Sequence, residues 1–333
     1  MGFFPHWISE DLSKISEEIS FDSATYFDDL VRQIDKYDAF LEEAPQDAEI
    51  AELYEITPQG LSGFSRDFVE GLLHANEFLI SRWVCQHQMK ALCFWRGMKD
   101  AVSIANWLVA AACLRSFFEE VASFNYHLQK VTPLTKETSS LLQSMGKSVS
   151  KKNKLHKGWS EKFIKTQVSN LEKLSTSLHG GADEWVRYVK QKRNPSRLQS
   201  ESAGPQFSPT VHINDCIRSL KKTGWQDAME VYSLLSELVH PNFGASTLVV
   251  ASRKRLNEKC GDVILSTRPK NREAATWFLE LAIQPLASVT RVSAANIQLA
   301  NSQMSFYQKN AEKWASLNTM LAGPSAQSGM RPH

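Results

Sequence analysis

Apolar residues recur along most of this chain at intervals of three and four, the period of a helix with one buried face. Ile8, Leu12, Ile15 and Ile19 form one stripe. Tyr26, Leu30, Ile34, Tyr37 and Leu41 form a second, with Ser23 placed to cap its first turn. Residues 44–60 read as a connector. The spacing then predicts a long helix over about 66–99 and another over about 102–129, ending ahead of Val131-Thr132-Pro133-Leu134. A further helix over about 162–178 stops at Gly180-Gly181.

Residues 192–210 are rich in Ser, Pro and polar side chains and are expected to be a mobile loop. A short helix near 214–222 leads through Gly224 into a second apolar face made by Trp225, Ala228, Met229, Tyr232, Leu235 and Val239. The period then changes from helical to alternating. Thr247–Ser252 and Asp262–Thr267 are short β-like runs that predict a small hairpin. Two helices over about 272–318 follow, the first expected to kink at Pro285, and the tail 322–333 is expected to be disordered. No internal repeat is visible. The pattern is that of an all-α, multi-helix bundle with a small β-hairpin insertion.

Charge changes this picture in one place. Residues 1–56 hold 15 Asp and Glu against Lys14, Arg32 and Lys36, a net −12. The whole chain is +2, so the remainder carries +14. This suggests an acidic N-terminal helical arm over 1–56, a helical domain over 57–321 with a basic insert at about 134–211, and the tail. The basic body is suited to an anion, or the acidic helices simply dock on it. The cluster Lys147–Trp159 reads as a solvated basic loop, with RNA as its alternative contact.

The five cysteines lack metal-ligand spacing, and three fall in apolar helical stretches, as in a reducing cytoplasm. No leader pattern is visible at the N-terminus, and His6 stands where a myristoylation signal wants Ser or Thr. The longest uncharged run, Ala101–Leu114, is too short to span a bilayer. A soluble cytoplasmic protein is expected, with no membrane partner. Met145-Gly146-Lys147-Ser148 imitates the end of a phosphate-binding loop, but Leu141 stands where the motif's first glycine is required. His179-Gly180-Gly181 lacks a matching nucleophile elbow and reads as a helix stop. No metal site and no cofactor are predicted.

Two stretches remain. In the nearly all-apolar helix around 106–124, Arg115 and Glu119 stand at i and i+4, beside Leu108, Ala111 and Ala122. A charge there must be paired, so the pair either fixes helix register or lines a polar cleft. In the second stretch, Pro241 drives its predecessor out of the helical region, so His240 ends its helix. It meets the negative end of the helix dipole, where it can cap carbonyls or carry protons near neutral pH. Tyr232, Ser236 and His240 are spaced by four and share an edge.

Together these stretches resemble the HEPN-like superfamily, in particular a bacterial branch with an LRSxxE helix followed by a YxxLSxxVHP helix. Leu114-Arg115-Ser116-Phe117-Phe118-Glu119 matches the first motif, and Tyr232 to Pro241 matches the second. The resemblance covers roughly 68–129 and 214–245. It implies a HEPN-like helical core, a homodimer, RNA as partner and a partner or antitoxin protein. Many members are metal-independent endoribonucleases of toxin–antitoxin or phage-defence systems. Their catalytic signature has an Arg and a His separated by four to six residues on one helix; the permitted positions here are Ser233, Leu234 and Leu235. The expected site is therefore His240 as acid or base, Arg115 on the phosphate and Glu119 orienting it, with Tyr232, Ser236 and Asn242 as substrate-binding donors. The competing expectation is a non-catalytic interaction protein in which Arg115, Glu119 and His240 form a structural network.

Overall fold

A computed structural model describes residues 3–9, 24–43, 66–152, 157–179, 211–240, 248–256, 261–266 and 272–322. The architecture is all-α. In chain order the helices are α1 (His6–Ser9), α2 (Ala24–Glu42), α3 (Arg66–Ser103), α4 (Trp107–Lys152), α5 (Lys157–His179), α6 (Ile213–Ser219), α7 (Ala228–Val239) and α8 (Arg272–Ala322). A 3-10 turn at Leu220–Thr223 follows α6. Two strands, β1 (Val250–Arg255) and β2 (Gly261–Leu265), pair antiparallel, with a register shift between Val250 and Ser252. Thus β1 starts three residues later than the apolar run Thr247–Ser252 suggests. Among the described residues, no helix is long and apolar enough to cross a membrane.

The helices run longer than their sequence punctuation. Helix α4 passes through Pro133, and α8 is one helix of 51 residues through Pro285, not two. A proline inside a helix costs about 3 kcal/mol. At Pro285 the neighbours outweigh that cost: Phe278, Leu279, Ile283, Leu286 and Val289 are all at most 1% exposed. Each buried side chain of this size contributes roughly 1.5–3 kcal/mol. Pro133 lies on an exposed side, and Thr132 and Thr135 bond back to the carbonyls of Leu128 and Val131. The true break between α3 and α4 is a tight turn at Ile104–Asn106. There Ala105 takes φ 58°, and the Asn106 side chain accepts from the Val109 N–H. Because α4 extends to Lys152 and α5 begins at Lys157, much of the basic cluster 147–159 is helical rather than loop.

The chain divides into two compact units. The first comprises 1–48, 86–126 and 212–297; the second comprises 49–85, 127–211 and 298–333. This division cuts across the boundary that charge suggests at 56. The described part of the acidic segment supplies core to the first unit. Phe3, Ile8, Phe27, Leu30, Ile34, Tyr37 and Leu41 are buried, with Phe27 rather than the exposed Tyr26 opening the α2 stripe. The carboxylate of Asp38, 3% exposed, accepts from the Trp95 indole N–H (2.7 Å) and from Lys99 Nζ (2.7 Å). Glu42 pairs with Arg96 and Lys99, so acidic α2 docks on the cations of α3. Trp95 packs against Phe3, Tyr37 and Phe117. The Tyr37 hydroxyl meets Ser293 at 2.7 Å, and burial pushes this phenol far above its ordinary pKa.

In the second unit a layer of uncharged polar side chains replaces part of the apolar core. Asn76 of α3, Thr138 of α4, Gln167 and Asn170 of α5 and Tyr307 of α8 are each 0% exposed. Asn76 Nδ2 donates to Gln167 Oε1 (3.1 Å), and Gln167 Nε2 donates to Thr138 Oγ1 (2.7 Å). Asn170 Nδ2 donates to both Asn76 Oδ1 (2.6 Å) and Tyr307 Oη (2.9 Å). Four helix segments are thereby tied by amides and hydroxyls alone. One turn away, Gln303 Nε2 donates to Thr132 at 2.7 Å.

Serine 23, Leu12, Ile15, Ile19, the connector 44–60, Gly180-Gly181, the segment 192–210, Asn242 and the tail after Ala322 lie outside the described residues.

Candidate functional site

Helix α4 places Arg115 and Glu119 at the margin of an apolar face. Ala111, Leu114, Phe117, Phe118, Val121 and Ala122 are fully buried around them. The side chains of Arg115 and Glu119 keep 22% and 33% exposure. Helix α7 buries Ala228, Leu235 and Leu238, a face rotated slightly from the one expected. Leu238 replaces Val239, and Tyr232 comes to the edge, only partly buried, where it meets Arg115.

Three groups close a ring there. Glu119 Oε1 accepts from Arg115 Nε at 3.0 Å and from the Tyr232 hydroxyl at 2.8 Å. The Tyr232 oxygen in turn accepts from Arg115 Nη2 at 3.1 Å. The guanidinium carbon lies 5.3 Å from the centre of the Tyr232 ring, within cation–π range. Behind it the ring stacks on Phe118 at 6.1 Å, and Phe118 sets its edge against Trp225. Tyr232 is thus fixed from the apolar side and Arg115 from the polar side.

Electrostatics follow the geometry. Burial, the largest single effect on Arg115, works against its charge. The hydrogen bonds to Tyr232 and Glu119 outweigh burial and raise its pKa. For Tyr232, burial and then the bond to Glu119 raise the phenol, with Arg115 opposing. Tyr232 therefore remains a donor, and Arg115 a permanent cation held in one orientation.

Of the expected site residues, the structure brings Arg115, Glu119 and Tyr232 together. Ser236 stands one turn along α7, its hydroxyl bonded to the Tyr232 carbonyl at 2.8 Å. His240 ends α7 as the proline beside it requires, with φ −73° and ψ 151°, and its N–H bonds to the Ser236 carbonyl. Its ring is exposed. Eight residues separate it from Tyr232, about 12 Å along a helix. Among the described residues, no hydrogen bond or ion pair joins His240 to Arg115 or Glu119. The expected convergence of His240 with these two side chains is replaced by that of Tyr232. Asn242 lies outside the described residues.

A second polar cluster of the same unit was not foreseen. His87 of α3, 1% exposed, meets Glu120 Oε1 through Nδ1 at 3.1 Å and stacks on Phe124 at 3.9 Å. Lys90 reaches the other oxygen of Glu120 at 3.5 Å. The signal was available: His87 sits on the apolar stripe Ile80, Trp83, Val84, Ala91, where an ionisable ring needs a partner. Burial, the largest effect on Glu120, raises its pKa, but His87 and Lys90 outweigh it and hold the carboxyl below its usual range. A depressed carboxyl pKa contributes stability that is present above the ordinary carboxylate value and lost as pH falls through the depressed one. The stability gap between the native chain and Glu120→Gln should therefore be widest near neutrality and close on acidification. Melting curves from pH 7 to pH 3 measure it, and a constant gap would remove the charge interaction.

Among the described residues, no group of three or more His, Cys, Asp or Glu side chains is arranged to hold a metal ion. Among the described residues, Cys85, Cys93 and Cys113 are free thiols. Compared with known proteins, the chain matches no family model, no curated protein and no solved structure. What the fold and site define is an all-α protein with an oriented, partly exposed arginine between two packed helices.

Proposed function

We propose that this chain is a HEPN-like RNA-binding protein whose chemistry is metal-independent cleavage of RNA. The observation that supports it is Arg115: Glu119 and Tyr232 hold it on two sides, yet about a fifth of its side chain faces solvent. A cation fixed in advance needs no reorganisation to receive a phosphate oxygen. His240 is exposed on the same helix as Tyr232, at a spacing that suits an RNA strand laid along α7. Arg115 holds a phosphate while His240 moves a proton at the strand's next reach. In cleavage the ribose 2′-oxygen bonds to phosphorus and yields its proton, and the bond to the 5′-oxygen breaks. The departing oxygen takes up a proton, with His240 serving one of the two transfers and water the other.

The second reading is a non-catalytic interaction protein, and the closed ring of Arg115, Glu119 and Tyr232 favours it, since all three groups already satisfy one another. One experiment separates them. The full chain is incubated with single-stranded RNA, and with DNA of the same sequence, in excess chelator across pH. Cleavage of RNA alone, leaving 2′,3′-cyclic phosphate and 5′-hydroxyl ends and lost in His240→Ala at unchanged melting temperature, is the expected result. RNA neither cut nor bound at any pH leaves the second reading.

A further inference from the structure

Among the described residues, the ribbon of β1 and β2 is exposed along the whole of β2 and at Ser252, Lys254 and Leu256. Val263, Ile264 and Leu265 keep 54%, 61% and 66% of their surface, with Leu256 at 53%. Among the described residues, each strand pairs only with the other, so both outer edges are open. A two-stranded ribbon is marginal in water without a third strand or a packed face.

The two edges differ in kind. Strand β1 carries Arg253, Lys254 and Arg255, the charges by which proteins protect an edge from further pairing. Strand β2 reads Gly-Asp-Val-Ile-Leu and has no Lys, Arg or Pro. We propose that the outer edge of β2 pairs with β2 of a second copy of this chain, antiparallel about a two-fold axis at Val263.

That register alone pairs all five residues. Val263 meets itself, Asp262 meets Ile264 and Gly261 meets Leu265, so no like charges stand opposite. Within each copy Lys254 is the partner of Asp262, so in the two rows that hold Asp262 the carboxylate has a cation on its own side and Ile264 across the axis. The basic β1 strands become the outer edges, three strand spacings or about 14 Å apart. That exceeds a Debye length of about 8 Å, so their repulsion is screened. The product is a closed four-stranded sheet of order β1-β2-β2-β1 with an isologous interface. A nucleic acid suits this edge poorly, because the only charge on β2 is a carboxylate. Five residues per copy make a small interface, so the association should be concentration-dependent and roughly micromolar.

Charge exchange at the axis tests the pairing on the full chain. Val263→Lys and Val263→Glu each put like charges face to face, on a residue exposed enough to leave the fold intact. Sedimentation should show wild-type dimer, with each variant weakened about tenfold or more, and dimer restored when the two variants are mixed. Wild type that stays monomeric to about 100 μM overturns the proposal. So does a dimer that neither variant weakens, which would place the interface elsewhere.

Discussion

Arg115→Ala is expected to reduce chelator-resistant RNA cleavage by up to about a hundredfold, as when a charge-assisted contact to a phosphate beside the one cut is lost. Its effect on stability should be small, within about 1 kcal/mol, because the pair it leaves behind is partly solvated and surface ion pairs are weak. Tyr232→Phe provides the graded comparison. It keeps the Arg115–Glu119 bond and the stack on Phe118, but removes the hydroxyl that donates to Glu119 and accepts from Arg115. Losing those bonds loosens the arginine without deleting it, and a loss of about tenfold follows. Cleavage rates and urea midpoints on the same three preparations decide the matter. If Arg115→Ala lowers stability by several kcal/mol and leaves RNA binding and cleavage as they were, the ring is a brace between α4 and α7.

The largest stability effect is expected at Asp38→Ala. Its carboxylate is almost fully buried and takes the Trp95 indole N–H and the Lys99 ammonium at once. Removing it strands a buried donor and a partly buried cation, at a cost of about 3–5 kcal/mol. Asp38→Asn keeps an acceptor for the indole and gives up only the charge, so about 1–2 kcal/mol is expected. Chemical denaturation followed by tryptophan fluorescence measures both. A cost under 1 kcal/mol for Asp38→Ala would mean that water reaches Trp95. The same contacts alter what removal of residues 1–56 would do. Charge alone suggests a detachable arm, but Phe27, Ile34 and Tyr37 are core, so the deletion would unfold the first unit.

Local chemistry was legible where it acts over one helical turn. The i, i+4 spacing announced the Arg115–Glu119 bond, and Pro241 announced the extended His240. What depended on tertiary packing was not. Pro133 looked like a stop and Pro285 like a kink because a proline's local cost is visible in sequence, whereas the apolar contacts that offset it are made with distant segments. Tyr232 looked like one donor among several, since nothing local shows that a slight rotation of α7 brings it onto Arg115. The partner of His87 lies 33 residues away on another helix, beyond the range of any periodicity. Charge counting marked the acidic segment correctly as acidic and said nothing about which face of it is buried.

The polar layer of the second unit constrains how that unit can be assembled wrongly. Helices faced only with leucine can slide by a turn and still bury the same surface. Here a slide of α5 by one turn would part Gln167 from Thr138 and Asn170 from both Asn76 and Tyr307. Each stranded buried group costs about 1–3 kcal/mol. Several such losses at once exceed what a slipped apolar face can recover, so the layer acts as a proofreading key: it rejects misaligned helices more strongly than it strengthens the aligned ones.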